Sequence, residues 1–207
     1  EVMLLPMYFL IGIWGGQRRI YATLKFFLYT MTGSLLMLVA IIYTVWTVKE
    51  QGGLTFSWEE LTERLSNTNL GNAELWLFAA FALAFAIKVP MFPFHTWLPL
   101  VHVEAPTAIS VILAGILLKL GVYGILRINY TMLPVAVWWF AGALALLGLI
   151  NVIWGAMCAL AQKDLKKLVA YSSVNHMGYL LIGMAAVIAA GEVNGNNLLA
   201  AQAGLGG

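Results

Sequence analysis

The sequence predicts an all-α fold, a polytopic transmembrane helix bundle interrupted by a proline-broken helix, and three observations carry that expectation. Of 207 residues, 62% are hydrophobic and 10% charged, where a soluble domain carries about 25% charged residues. Apolar runs recur along the chain at the length a membrane span requires, about 20 residues each. Finally, the apolar stretch Ala73–Arg127 is crowded at its centre with Pro90, Pro93, Pro99 and Pro106. Composition also excludes some functions. The net charge of +2 is too small to point to nucleic acid. A single cysteine, Cys158, makes no disulfide framework and falls short of the about four ligands an iron–sulfur cluster needs.

Taken in order, Glu1–Ile13 reads as the end of a span and Trp14–Arg19 as a polar break. Phe26–Thr47 is a full span. Lys49–Asn72 faces water, and within it Ser57–Asn67 has an N-cap serine and first-turn carboxylates that suit a short surface helix. Spans follow at Ala73–Pro90 (continuing, broken, toward Leu98), Thr107–Ile128, Pro134–Ala161 and Leu168–Ala190, with a polar tail from Gly191. The expectation is one transmembrane domain over residues 1–207, with five full spans and a partial one. The chain opens at Glu1 inside an apolar run and closes on AGLGG, and is expected to be a fragment of a longer chain.

Basic residues flanking the spans set the expected orientation. Arg18, Arg19, Lys163, Lys166 and Lys167 fall on one side, expected to be cytoplasmic. Lys49, Arg64 and Arg127 fall on the other, offset by Glu50, Glu59, Glu60 and Glu63. By alternation the connector Phe92–Ala108 opens toward the first side.

Two lysines stand out because an ammonium in hydrocarbon costs at least about 2.5–3.5 kcal/mol. Lys88 lies about 13 residues, roughly 20 Å, into its span, with Pro90 and Pro93 immediately after it. Each proline removes the hydrogen bond to the carbonyl four residues back, so the carbonyls of Ala86 and Val89 are expected to be free beside the ammonium. A snorkelling lysine is the plainer alternative. Lys119 is expected near mid-depth in the next span, with Gly115, Gly121 and Gly124 around it allowing close helix approach. Desolvation would favour its neutral form, which suits a proton relay. Glu1 is expected at membrane depth and is a natural counter-charge for Lys88, or else an interfacial carboxylate.

His176 lies in a span with Tyr171, Ser172, Ser173, Asn175 and Tyr179, a polar set at helical spacing that reads as a hydrated track. His95, His102 and Glu104 in the connector are candidates for relay or gating, with hydrogen-bonded structural histidines as the alternative. Haem ligation would need two histidines at similar depth in unbroken spans, which this sequence lacks. Asp164 moderates a basic turn. No phosphate-binding loop, dinucleotide fingerprint, zinc-protease helix or serine elbow is present. No cofactor or metal is expected in this chain, so energy must come from an ion gradient or from partner subunits.

KVPMFPFHTWLPLVHVEAPTAISVILAGILLKLGVYGILR (Lys88–Arg127) and QKDLKKLVAYSSVNHMGYLLIG (Gln162–Gly183) closely resemble the antiporter-like membrane subunits of respiratory complex I. Subunits of multisubunit sodium/proton antiporters and membrane-bound hydrogenases share the HxWLPxxHxxAP and DLKKLVAYSSVxHMG patterns. The resemblance implies an antiporter-like fold of about fourteen helices with two inverted repeats, of which this piece would hold most of the first. It implies proton translocation coupled to NADH:quinone oxidoreduction in partner subunits, with flavin, iron–sulfur clusters and quinone held there and no redox centre or bound quinone in this chain. By position it implies that Glu1 pairs with Lys88, that Lys119 passes protons onward, and that His176 belongs to a central hydrophilic axis. Expected partners are the other membrane subunits of the complex and the bilayer. The expected location is integral and multi-pass, in a bacterial plasma membrane. A sodium/proton exchanger, a hydrogenase subunit, a haem-bearing cytochrome b-like quinol enzyme and a passive scaffold are the alternatives.

Overall fold

A computed structural model describes residues 3–49, 53–66 and 71–193, and among them the fold is helical throughout. Helices α1 (Leu4–Trp14) and α2 (Arg19–Val48) are followed by the short α3 (Trp58–Ser66) and by α4 (Asn72–Lys88). A 3-10 turn (Phe94–Thr96) leads to α5 (Trp97–Glu104). The next helix is built from α6 (Thr107–Ile112), α7 (Leu118–Gly124) and α8 (Tyr130–Met132), with π-helical segments at Leu113–Leu117 and Ile125–Asn129 between them. Helices α9 (Pro134–Leu160) and α10 (Leu165–Val193) complete the described chain.

Among the described residues, four helices are long and apolar enough to cross a membrane: Arg19–Val48, Thr107–Met132, Ala136–Leu160 and Leu165–Ala189. The span expected at Ala73–Pro90 is different. Its helix has 17 residues, about 25 Å at 1.5 Å per residue, which falls short of an apolar core about 30 Å thick. Helix α4 gives way through the 3-10 turn to α5, so the expected span is interrupted rather than one continuous helix. The surface helix stands where expected, with Glu59 and Glu60 in its first turn.

Contacts at the two ends of the bundle agree with the alternation read from the charges. At one end the α1–α2 turn reaches the α5–α6 corner through Gly16, whose N–H donates to the Glu104 carbonyl (2.9 Å). Lys166, in the first turn of α10, reaches the same corner. At the other end the Arg127 guanidinium lies over Trp58 of α3 (5.3 Å) and Arg64 donates to the Gly53 carbonyl (3.1 Å).

Close helix approach depends on small residues, as expected where lipid gives no hydrophobic drive between helices. Gly33 of α2 sits on Ala84 and Ile87 of α4. Helices α9 and α10 form the most extensive pair, and their glycines face each other. A Cβ at Gly178 would lie 2.7 Å from the Gly148 carbonyl oxygen and 2.8 Å from Val152 Cγ2. Backbone oxygen cannot yield as a side chain can. Gly178→Ala is therefore expected to destabilise the protein by about 1–3 kcal/mol, read as a lower thermal midpoint in detergent. Gly183→Ala, with nothing within 4 Å of its would-be Cβ, should leave that midpoint unchanged or slightly raised. Equal midpoints for the two variants would refute the packing argument.

Polar caps complete the frame. The Asp164 side chain accepts the Lys166 N–H (2.9 Å) at the start of α10, a more specific role than moderating a basic turn. The Glu74 carboxylate of α4 accepts the Ala136 N–H (3.1 Å) in the first turn of α9, where the helix dipole favours an anion.

Candidate functional site

The helix break builds the site. Helix α4 stops at Lys88, and the Phe92–Pro93 bond after it is cis. The Ala86 carbonyl near the end of α4 does not stay free as Pro90 suggested. The Met91 N–H donates to the Ala86 carbonyl (2.9 Å), and the buried Trp97 Nε1–H donates to the Ile87 carbonyl (2.9 Å). The Phe92 N–H finds Asn151 Oδ1 of α9 (2.7 Å), and the Phe94 N–H finds the Met91 carbonyl (2.6 Å). An unpaired backbone group in a membrane costs several kcal/mol, and the chain around this break re-pairs these groups. The expectation of a free Ala86 carbonyl beside the ammonium is therefore corrected.

Lys88 is half-buried at the break rather than sunk in mid-helix. It lines a cavity of about 110 Å³ with Met3, Leu4 and Met7 of the α1 region, Phe26, Thr30 and Ser34 of α2, Trp97 of α5, and Leu117 and Leu120. That volume holds several waters, since a water needs only about 10–15 Å³ by this measure. Thr30 and Ser34 stand one turn apart on the buried face of α2, and the Thr30 hydroxyl donates to the Phe26 carbonyl (2.7 Å). The sequence reading passed over both hydroxyls and Trp97. The signal for the hydroxyls was a sparse i, i+4 polar step inside an apolar span. Glu1, the expected partner of Lys88, lies outside the described residues.

Lys119 is not brought to this cavity. Gly121 is the residue that meets the break, with a would-be Cβ 2.7 Å from Val89 Cγ2 and 3.1 Å from Lys88 Cβ. Gly124 packs on the ring of Phe85. At 3.6 residues per turn, position 119 lies about 200° around α7 from position 121. Lys119 therefore points away from α4 and is exposed. Gly115 has nothing within 4 Å of its would-be Cβ and serves no close approach among the described residues.

The polar residues of α10 divide between two faces. Tyr171 packs edge-on against His95 (6.3 Å between centroids), and Asn175 packs against Gly155 of α9. His176 lies on the exposed side, where its Nδ1–H donates to the Ser172 carbonyl (2.6 Å) and Nδ1 also lies 3.3 Å from the Ser172 hydroxyl. In the neutral ring that leaves Nε2 as an acceptor.

His95 and His102 are each 5% exposed. His95 stacks on Phe92 (5.8 Å), and its Nδ1 has no hydrogen-bond partner among the described residues. The same holds for His102 Nε2. Glu104 turns to the α1–α2 turn, where its Oε2 accepts the Arg18 N–H (3.0 Å). Near His95, the hydroxyls of Tyr29 and Thr96 are 3.2 Å apart, and Lys25 Nζ lies 5.8 Å from the Tyr29 ring centroid. No group of three or more His, Cys, Asp or Glu among the described residues is placed to hold a metal ion.

A profile for the transmembrane region of the NADH:quinone oxidoreductase/Mrp antiporter family matches residues 1–199. The chain belongs to this family. Among curated relatives of this family, the NADH-quinone oxidoreductase subunit M of Rickettsia bellii is 51% identical over 184 residues, covering 89% of this chain and 36% of that protein. The NAD(P)H-quinone oxidoreductase chain 4 of Trichodesmium erythraeum is 46% identical over 185 residues, covering 89% of this chain and 34% of that protein. The chain thus spans about a third of the length of these relatives. A chain of respiratory complex I from Thermus thermophilus with bound NADH superposes with a TM-score of 0.77 at 33% identity, over 98% of this chain and 45% of that one. A chain of the Mrp complex from Dietzia sp. has the same fold at 21% identity and a TM-score of 0.74, over 89% of this chain and 34% of that one. The antiporter-like, integral multi-pass membrane fold expected from the resemblance is therefore the fold of this chain.

Proposed function

We propose that this chain carries part of a transmembrane proton path driven by NADH:quinone oxidoreduction in partner subunits. The observation that carries the reading is Lys88, a titratable ammonium at a helix break that faces a cavity large enough for water and lined by two hydroxyls. Broken membrane helices are tolerated where they line such cavities. Met3 and Leu4 on the cavity wall follow closely after Glu1 in the chain, which supports Glu1 as the counter-charge of Lys88. Lys119 accepts protons on the far face of the helix that packs on the break, and His176 extends the path along the exposed side of α10. His95 and His102, buried in the connector, serve relay or gating between the cavity and the basic end of the bundle. Redox events in the partner subunits need to change the balance at Lys88 by only a few kcal/mol to shift it. In this reading the chain is a membrane subunit of the oxidoreductase, assembled with other membrane subunits, while flavin, iron–sulfur clusters and quinone stay in the partners. The names of the relatives near 50% identity support it.

A sodium/proton exchanger is the second reading, supported by the shared family and the Mrp-like fold. The test is NADH-driven proton uptake by inverted membrane vesicles in sodium-free buffer. Uptake is expected to persist without sodium. Sodium-dependent exchange that proceeds without NADH would overturn the proposal in favour of the exchanger.

A further inference from the structure

We propose that Glu104 is a positioning residue that clamps the broken helix and thereby holds the Lys88 cavity in register. The clamp rests on the reading of Lys88 as a proton carrier.

Helix α5 is a rod of eight residues, about 12 Å long, with different work at its two ends. At its start, Trp97 lines the Lys88 cavity, donates to the Ile87 carbonyl and packs against Phe26 (5.3 Å). At its end, Glu104 fastens the rod to α2. Its carbonyl accepts the Gly16 N–H (2.9 Å), and its carboxylate accepts the N–H of Arg18 (3.0 Å), the residue capping α2. Arg18 offers no side-chain cap of its own. Glu104 thus supplies from another helix the acceptor that the α2 N-terminus lacks, where the dipole favours an anion. Lys166 supplies the opposite charge to the opposite kind of helix end. Its ammonium donates to the carbonyls of Ala105 (3.3 Å) and Val103 (3.5 Å) at the close of α5. One corner therefore fixes α5 to both α2 and α10, and α2 carries Phe26, Thr30 and Ser34 on the far side of the Lys88 cavity.

The glycines of the α1–α2 turn fit this role. A Cβ at Gly16 would lie 2.5 Å from Glu104 Oε2, whereas one at Gly15 would meet the Ile11 carbonyl oxygen and Arg19 Cβ before the Glu104 carbonyl oxygen at 3.1 Å. The turn has been left bare where the carboxylate seats.

The clamp needs an acceptor at Glu104, not a proton. In the assembled complex, Glu104→Ala is expected to lower protons pumped per NADH at least threefold and to speed hydrogen exchange at the Arg18 amide about tenfold. Glu104→Gln is expected to restore most of both, because an amide oxygen accepts the same N–H. Gly16→Ala should reproduce the Ala defect, and combining the two should add nothing, as for residues sharing one contact. Should the Ala complex fail to assemble, the comparison of Glu104→Gln with Gly16→Ala decides alone. The clamp is overturned if Gln fails as completely as Ala, which would make the carboxylate a proton carrier, or if Arg18 exchange is unchanged in Glu104→Ala or Gly16→Ala. Pumping that survives Lys88→Met would sink the translocation reading instead, and the exchange measurement would still judge the clamp.

Discussion

Assembled complexes carrying Lys88→Met are expected to lose the proton uptake that passes through this chain, by a factor of about ten or more, in keeping with removal of a proton-transfer group. The expectation follows from placement. A lysine kept for packing has no reason to stand at a break in a membrane helix against a cavity of about 110 Å³ lined by the Thr30 and Ser34 hydroxyls. The ammonium is costly there, at about 2.5–3.5 kcal/mol for a mid-membrane position, and methionine fills similar space without the charge. Loss of uptake at an undiminished amount of complex would mark a residue retained for function at the expense of stability. The measurement compares NADH-driven uptake by inverted vesicles at matched complex content. Uptake equal to that of the unaltered complex would demote Lys88 to a structural charge and favour the scaffold reading.

Much of the architecture is legible in the sequence because membrane thickness converts apolar run length directly into spans. The breaks at Trp14–Arg19 and between Ala161 and Leu168, which the structure shortens by starting α10 at Leu165, the surface helix and the sharing of one end by Arg18 and Lys166 all follow from run length and charge. What was not legible is which face of each helix meets which neighbour. In water, the contrast between apolar and polar faces answers that question. In lipid the outside is as apolar as the inside, so α7 gives no sign of which side packs on α4. Lys119 was therefore expected inward, whereas Gly121 holds the inward place. The His176 set was split for the same reason, with Tyr171 and Asn175 turned toward the connector and α9 and His176 turned out. The fate of the Ala86 carbonyl was hidden for a different reason. Proline shows which bond is lost, but its replacement comes from Met91, just past the break.

Gly121→Leu is the variant expected to disturb the site most without removing a titratable group. A Cβ alone at this position would lie 2.7 Å from Val89 Cγ2, 3.1 Å from Lys88 Cβ and 3.2 Å from the Val89 backbone nitrogen. The Val89 side chain can rotate to relieve the first contact, but the backbone nitrogen donates to the Phe85 carbonyl (2.8 Å) and is held by it. Helix α7 must then move off the end of α4, and the added leucine atoms enlarge the displacement. Overpacking of this kind costs about 1–3 kcal/mol, so a lower thermal midpoint of the complex is expected. The more telling loss is in protons pumped per NADH, because the residue displaced is Lys88 itself and Leu117 and Leu120 of the moving helix form its cavity wall. Gly115→Ala in the same helix is the control, since its would-be Cβ meets nothing within 4 Å. It should leave the pumping ratio intact. A Gly121→Leu complex that pumps like the Gly115→Ala control would show that the fit of α7 on the helix break does not govern Lys88.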